Sequence, residues 1–178
     1  MGYYVTYEGE ITFPSDGEDE IVAALKALNH RHDLKTGGRS PRSGDPYEDY
    51  WFSWLPSRYH EDDSLQTVED VLRLLGFDNL HTEITGDQTT LTVTYDNKIG
   101  SEDVFLNEIS KFGEVDLYVT GEDGDRWRYL TKDGELLSYN GYVSYDDLAP
   151  TRVEQTIQQR GDMWAQFRNS PLDSQASI

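Results

Sequence analysis

Carboxylates are the chemical resource this chain has in quantity, with 34 Asp and Glu among 178 residues against 15 Lys and Arg. Adjacent pairs such as Asp62-Asp63 and Asp146-Asp147 have the composition for acid/base work or for holding a divalent cation. Glycosidase-type chemistry places two such groups about 5–10 Å apart across a sugar. In so acidic a chain pairs arise by chance, and a pair alone assigns no reaction. Gly121-Glu122-Asp123-Gly124-Asp125 is like a fragment of a calcium loop, but the spaced ligands and distal Glu of an EF-hand are missing. A hairpin tip with solvated acids is the plainer reading. His30-Arg31-His32 supplies two imidazoles; zinc needs further ligands, and only His60, His81 or carboxylates remain. Cationic groups at a helix C-terminus are also favoured by its dipole, without any metal.

Nucleophile and phosphate signatures fail. There is no G-x-S-x-G, no P-loop, no G-x-G-x-x-G after a strand and no H-E-x-x-H. The absence of cysteine removes disulfides, thiolate metal sites and cysteine nucleophiles together. No cofactor is expected. The N-terminal residues lack the basic and apolar regions of a signal peptide, and no apolar run reaches the roughly 18 residues of a membrane span. A cytoplasmic protein is the expectation.

The charge is distributed unevenly. Residues 61–125 carry 17 acids and 3 bases, which is most of the formal net charge of −19. Such a field governs solubility, encounter rate and choice of partner rather than a reaction. Direct nucleic-acid binding would work against it, since each phosphate contact brings like charges together. A high-salt surface or a GC-rich genome would produce a similar excess of Asp and of Arg over Lys. Aromatics at 12% argue for a folded chain, because disordered acidic chains are poor in them.

One stretch runs the other way. Residues 31–46 form a Gly/Pro/Ser-rich loop holding Arg31, Lys35, Arg39 and Arg42. It is followed by Tyr47-Glu-Asp-Tyr50-Trp51-Phe52-Ser-Trp54-Leu55, read as an aromatic strand ended by Pro56. Alternation puts Tyr50, Phe52 and Trp54 on one face and Trp51 and Leu55 on the other. Aromatics beyond the needs of a core, beside a flexible basic loop, make Tyr50, Trp51 and Trp54 candidate partner contacts.

The elements that must position these groups follow from periodicity. Tyr3 to Phe13 alternates as a strand, with Tyr3, Val5, Tyr7, Gly9, Ile11 and Phe13 on one side. Ser15 or Asp16 caps a helix whose stripe is Ile21, Ala24, Leu25 and Leu28. Ser64 or Thr67 caps a second helix, Thr67 and Asp70 having capping-box spacing, with Leu65, Val68, Val71, Leu72 and Leu75 as its stripe, and Gly76 suits the helix end. Strands over 80–85 and 89–95 turn at Gly86-Asp87. Ser101 caps a helix with Val104, Phe105, Ile109 and Phe112 inward and Gly113 at its close. The last third is a meander, with turns at 121–125 and at Lys132-Asp133-Gly134-Glu135 and a final strand over 136–145. Pro150 opens a terminal helix to about Arg168, with Val153, Ile157 and Trp164 near one stripe, before a polar tail at 170–178.

Helices separated by hairpin-rich strands imply an α+β fold: an antiparallel or mixed sheet with helices mainly on one face, ferredoxin-like or a related open sandwich. One domain over 1–148 and an appended C-terminal helix over 149–169 are expected. The opening Gly2-Tyr3-Tyr4-Val5-Thr6-Tyr7-Glu8-Gly9-Glu10-Ile11 and the segment Gly121-Glu122-Asp123-Gly124-Asp125-Arg126-Trp127-Arg128-Tyr129 resemble small uncharacterised proteins of actinobacteria and their phages. That resemblance implies a small sheet fold and a phage origin, and brings no catalytic residues.

These observations converge on a non-enzymatic binding protein that inhibits or modulates a host protein. It would dock on a basic, nucleic-acid-binding surface with carboxylates standing in for phosphates. The candidate contacts are Glu61, Asp62, Asp63, Glu102, Asp103, Glu122, Asp123 and Asp125, with Tyr50, Trp51 and Trp54 as a second surface. Two other expectations stand beside it: a structural protein that self-associates through the terminal helix, and a small metal- or carboxylate-dependent enzyme.

Overall fold

Alternation in the first strand decides the architecture. In β1 (Tyr4–Pro14) Val5, Tyr7, Ile11 and Phe13 are buried, whereas Tyr4, Glu8 and Glu10 are exposed, so the sheet is covered on one side only there. The computed structural model describes residues 3–35, 51–52, 55–141 and 151–169. In these, β1 is followed by α1 (Glu18–Ala27), α2 (Val68–Leu74), β2 (Asn79–Thr85), β3 (Gln88–Lys98), α3 (Glu102–Ile109), β4 (Glu114–Gly121), β5 (Arg126–Lys132), β6 (Glu135–Asn140), the two-residue β7 (Thr151–Arg152) and α4 (Val153–Asn169). The sheet order is β2-β3-β1-β4-β5-β6-β7, antiparallel at every junction.

The described elements of residues 4–121 therefore run βααββαβ with β1 and β3 central, the ferredoxin-like arrangement with α2 added between β1 and β2, and a β5–β6 meander widens it. Helical stripes close the other side as one apolar cluster. Ile21 and Leu25 of α1, Val68, Val71 and Leu72 of α2 and Phe105 and Ile109 of α3 lie with Tyr7, Ile11, Leu91, Val93, Val115 and Leu117 of the sheet. Phe77 stacks on Tyr95 at 4.5 Å between ring centroids. This is the α+β open sandwich that the element pattern predicts.

Local signals hold in detail at several joints. Thr67 and Asp70 form the reciprocal capping box of α2. Asp133 and Gly134 have φ of 54° and 76°, the pair of left-handed residues that a type I′ turn requires between β5 and β6. Gly9 sits at φ 147°, and a Cβ there would land on the Asp116 carbonyl of β4, so the centre of the sheet needs a glycine.

Other expectations are corrected. Ser15 and Asp16 do not cap α1; they lie in a single 3₁₀ turn over Ser15–Gly17, and the N-cap position is Gly17. Ser15 instead bonds the Thr89 hydroxyl at 2.8 Å, and Glu18 accepts the Val68 amide of α2 at 3.0 Å, so the acid of one helix caps another. The Ser101 side chain makes no capping bond to α3, whose Val104 amide donates instead to the Ser101 carbonyl at 3.1 Å. The strand expected to Tyr145 ends earlier, since β6 closes at Asn140 and Gly141 is outside it; residues 142–145 lie outside the described residues, as do Pro150 and the polar tail. The C-terminal helix is not an appendage: Val153 and Ile157 are buried in the same cluster as the sheet. No helix of the described residues is long and apolar enough to cross a membrane.

Candidate interaction surface

The uncovered side of the sheet carries the groups left over by the core alternation. Registers place Glu8 between Thr94 of β3 and Tyr118 of β4, Glu10 between Thr92 and Asp116, Thr6 between Asp96 and Thr120, and Thr12 between Thr90 and Glu114. Tyr4 pairs with Lys98, and β2 adds His81 and Glu83 on the same face. The surface is thus a threonine-rich field set with carboxylates, spaced about 7 Å along a strand and about 4.8 Å between strands.

Its electrostatics divide at β4. Asp116, directly opposite Glu10, would repel it, but Arg128 of β5 grips Asp116 with two bonds of 2.7 Å and lies 4.8 Å over the Tyr118 ring. Lys98 lies 5.4 Å over the Tyr4 ring. Glu8, Glu10 and Asp96 are exposed and hold no hydrogen bond or ion pair among the described residues. Toward β6 the face closes, because Leu137, which shares this side, is buried. The open part is the acidic one, over β2, β3, β1 and β4.

The acids singled out from sequence fall into three environments. Glu122, Asp123 and Asp125 form the exposed tip between β4 and β5; the Glu122 amide donates to the Tyr4 carbonyl at 2.9 Å, so the tip adjoins the open face. Burial pushes the Tyr3 hydroxyl up, and these three acids add to the rise. Glu61, Asp62 and Asp63 lie in the helical layer, on the turn that starts at Tyr59, and all three are exposed. Glu61 pairs with Arg58 at 2.6 Å, and Asp62 accepts the Ser64 hydroxyl at 2.6 Å and its amide at 2.9 Å; these contacts hold both carboxyls below their ordinary values.

Glu102 is the clear correction. It is 1% exposed, so it presents no charge to a partner. Its Oε2 accepts the Gly100 amide at 2.6 Å, while Oε1 has no hydrogen-bond partner among the described residues. Loss of hydration raises its pKa from 4.5 to about 7, against the pull of the Glu102 and Gly100 amides, with Asp103 adding to the rise and Arg160 opposing it. Asp103 is bound by Arg160 of α4 at 3.0 Å and is only partly exposed.

The basic and aromatic candidates are divided likewise. Arg31 is committed to Asp33 by bonds of 2.9 and 2.7 Å, and Lys35 is buried, its pKa lowered by desolvation. Arg39, Arg42, Tyr50 and Trp54 lie outside the described residues. Trp51 is half-buried, and Phe52 is core, edge-on to Phe105 at 5.2 Å. His30 meets His60 edge-on at 5.1 Å, and no three His, Asp or Glu side chains of the described residues are grouped to hold a metal.

Glu8, Glu10 and Asp96 were absent from the sequence candidates, which followed runs of acids. The usable signal was the alternation itself: both glutamates occupy the positions between Tyr7, Gly9 and Ile11. Comparison with protein-family models, with characterised proteins and with solved structures finds no match to this chain.

Proposed function

We propose that this chain is a non-enzymatic binding protein that docks on a cationic, nucleic-acid-binding surface of another protein through the acidic sheet face and the adjoining β4–β5 tip. The observation behind this reading is that, among the described residues, Glu8, Glu10 and Asp96 stand exposed and unpaired on the open face of the sheet, next to Glu122, Asp123 and Asp125. A rigid sheet holds carboxylates in fixed register, so their field is presented without the entropy loss of ordering a loop. Fields of this sign accelerate encounter with a basic surface, and the attraction fades with added salt. The threonines and Tyr118 supply hydrogen bonding and contact area between the charges.

The test is capture of purified nucleic-acid-binding domains on the wild-type chain and on a Glu8→Gln, Glu10→Gln, Asp96→Asn variant, over a salt series and with DNA as competitor. The expected result is a bound domain that DNA displaces, that is lost as salt rises, and that the variant binds at least about tenfold more weakly, near 1.4 kcal/mol. Equal retention by the variant, or retention indifferent to salt and DNA, overturns the reading. The apolar stripe at the start of α4 is already spent inside the fold, since Val153 and Ile157 are buried, so the terminal helix has less to offer self-association than its sequence implies.

A further inference from the structure

The two ends of the sheet are finished differently. Among the described residues only the two-residue β7 lies beyond β6, and α4 packs against β6. At the other end β2 is seven residues long, pairs with β3 without interruption, and contains no Pro, Lys or bulge. Every residue of β2 except Leu80 is exposed, Ile84 by 67%. Among the described residues nothing pairs with its outer edge. Edges of this length are ordinarily blunted by charge, proline or a covering element, because they template another strand.

The hairpin determines which backbone groups point outward. Gly86-Asp87 is a two-residue turn closed by Thr85 opposite Gln88, with the Thr85 carbonyl and the Gln88 amide facing each other across it. Antiparallel alternation then commits Asn79, His81, Glu83 and Thr85 to β3, and leaves the N–H and C=O groups of Leu80, Thr82 and Ile84 facing out. An independent contact agrees: the Arg73 guanidinium donates to the Leu80 carbonyl at 3.2 Å.

We propose that β2 pairs antiparallel with β2 of a second copy, about a twofold axis through Thr82. In this register Thr82 faces its counterpart, Leu80 faces Ile84, His81 faces Glu83 and Asn79 faces Thr85, each of the last three pairings occurring twice by symmetry. Both members of every outward-facing set meet, giving six backbone hydrogen bonds. The side chains agree with the backbone. Leu80 and Ile84 cover one another on the helical side, and His81 and Glu83 meet on the open face in the closer, non-hydrogen-bonded type of pair. A two-residue slip in either direction places His81 against His81 or Glu83 against Glu83. Glu69, bonded to the Thr82 hydroxyl, also flanks the axis, but each copy brings its own Arg73 at 2.7 Å to neutralise it. Arg73 shares the Leu80 carbonyl with the incoming strand, since that oxygen has two lone pairs. The acidic faces of the two copies then lie side by side in one continuous sheet.

The chain has no cysteine, so a single introduced thiol reports the register directly. Residues in the hydrogen-bonded pair on the axis have Cα atoms about 5.5 Å apart, within disulfide reach. Full-length Thr82→Cys is expected to cross-link to a dimer under mild oxidation, while Asn79→Cys, far from its own counterpart, stays monomeric. Sedimentation equilibrium from about 10 μM to about 1 mM, the range suited to a small interface, is expected to show a dimer that Glu83→Lys weakens at least about tenfold. The exchanged pair His81→Glu with Glu83→Lys is expected to restore it. Circular dichroism confirms that each variant keeps the fold. A wild-type chain that stays monomeric over this range, cross-linking of Asn79→Cys as fast as Thr82→Cys, or Glu83→Lys dimerising like wild type overturns the proposal. None of these outcomes depends on binding to a basic partner.

Discussion

Replacing Glu102 by Gln isolates one ionisable group whose cost can be worked out from its surroundings. The carboxyl is buried at the start of α3 with one oxygen on the Gly100 amide and the other without a partner. Its pKa stands at about 7 in the fold against 4.5 ordinarily. At about 1.4 kcal/mol for each tenfold change in proton affinity, holding the ionised form inside costs about 3 kcal/mol. The sign follows from linkage: an acid whose folded pKa is raised gives its stabilisation in full below the unfolded value, about pH 4.5, and loses it as pH rises through about 7. Gln has the shape of the protonated acid, keeps an oxygen for the Gly100 amide and cannot ionise. Urea unfolding of both proteins at intervals from about pH 4 to about pH 8 therefore gives nearly equal stabilities at the acid end. At the alkaline end the variant is more stable by about 3 kcal/mol. The difference between the two curves cancels every other titrating group, including Glu61, Asp62, Glu69 and Asp70, whose values are lowered. A difference that stays constant across the range would refute the argument.

Two further substitutions test how the scaffold holds the open face. Gly9→Ala forces a methyl onto the Asp116 carbonyl at a left-handed φ, and is expected to lower unfolding free energy by about 3 kcal/mol in urea titration; a loss under about 1 kcal/mol would contradict the close approach. Thr67→Ala removes one arm of the α2 capping box while Asp70 still accepts the Thr67 amide at 2.9 Å, so a loss of about 1 kcal/mol is expected from the same assay, with amide exchange faster in the first turn of α2.

Much of the fold was legible because local and tertiary demands agree in it. Tyr7, Ile11 and Phe13 alternate with Glu8, Glu10 and Thr12, the Asp133-Gly134 turn has one good solution, and Thr67 and Asp70 announce α2. Capping of α1 was not legible: Ser15 and Asp16 are good caps by type, but Thr89 of a strand far along the chain claims the Ser15 hydroxyl. Burial of Glu102 was hidden for a similar reason. An acid in the first turn of a helix suits the dipole whether it is wet or dry, and the packing of Tyr7, Tyr129 and α4 around the start of α3 decides which. For the surface, charge density along the chain pointed to acids at 61–63 and 122–125, whereas strand pairing brings together acids distant in sequence, such as Glu8 with Asp96 and Glu10 with Asp116.

The most direct test of the acidic sheet as a docking face is an amide chemical-shift map, with isotope-labelled chain titrated by a basic nucleic-acid-binding domain that it captures. The account predicts shifts concentrated on alternate residues of β1, β3 and β4, with Glu8, Glu10, Thr92, Thr94, Asp96 and Tyr118 foremost, continuing to Glu122 and Asp125 and vanishing at high salt. Shifts confined to Glu61–Asp63 and the helical layer, or spread evenly over the molecule, would contradict it.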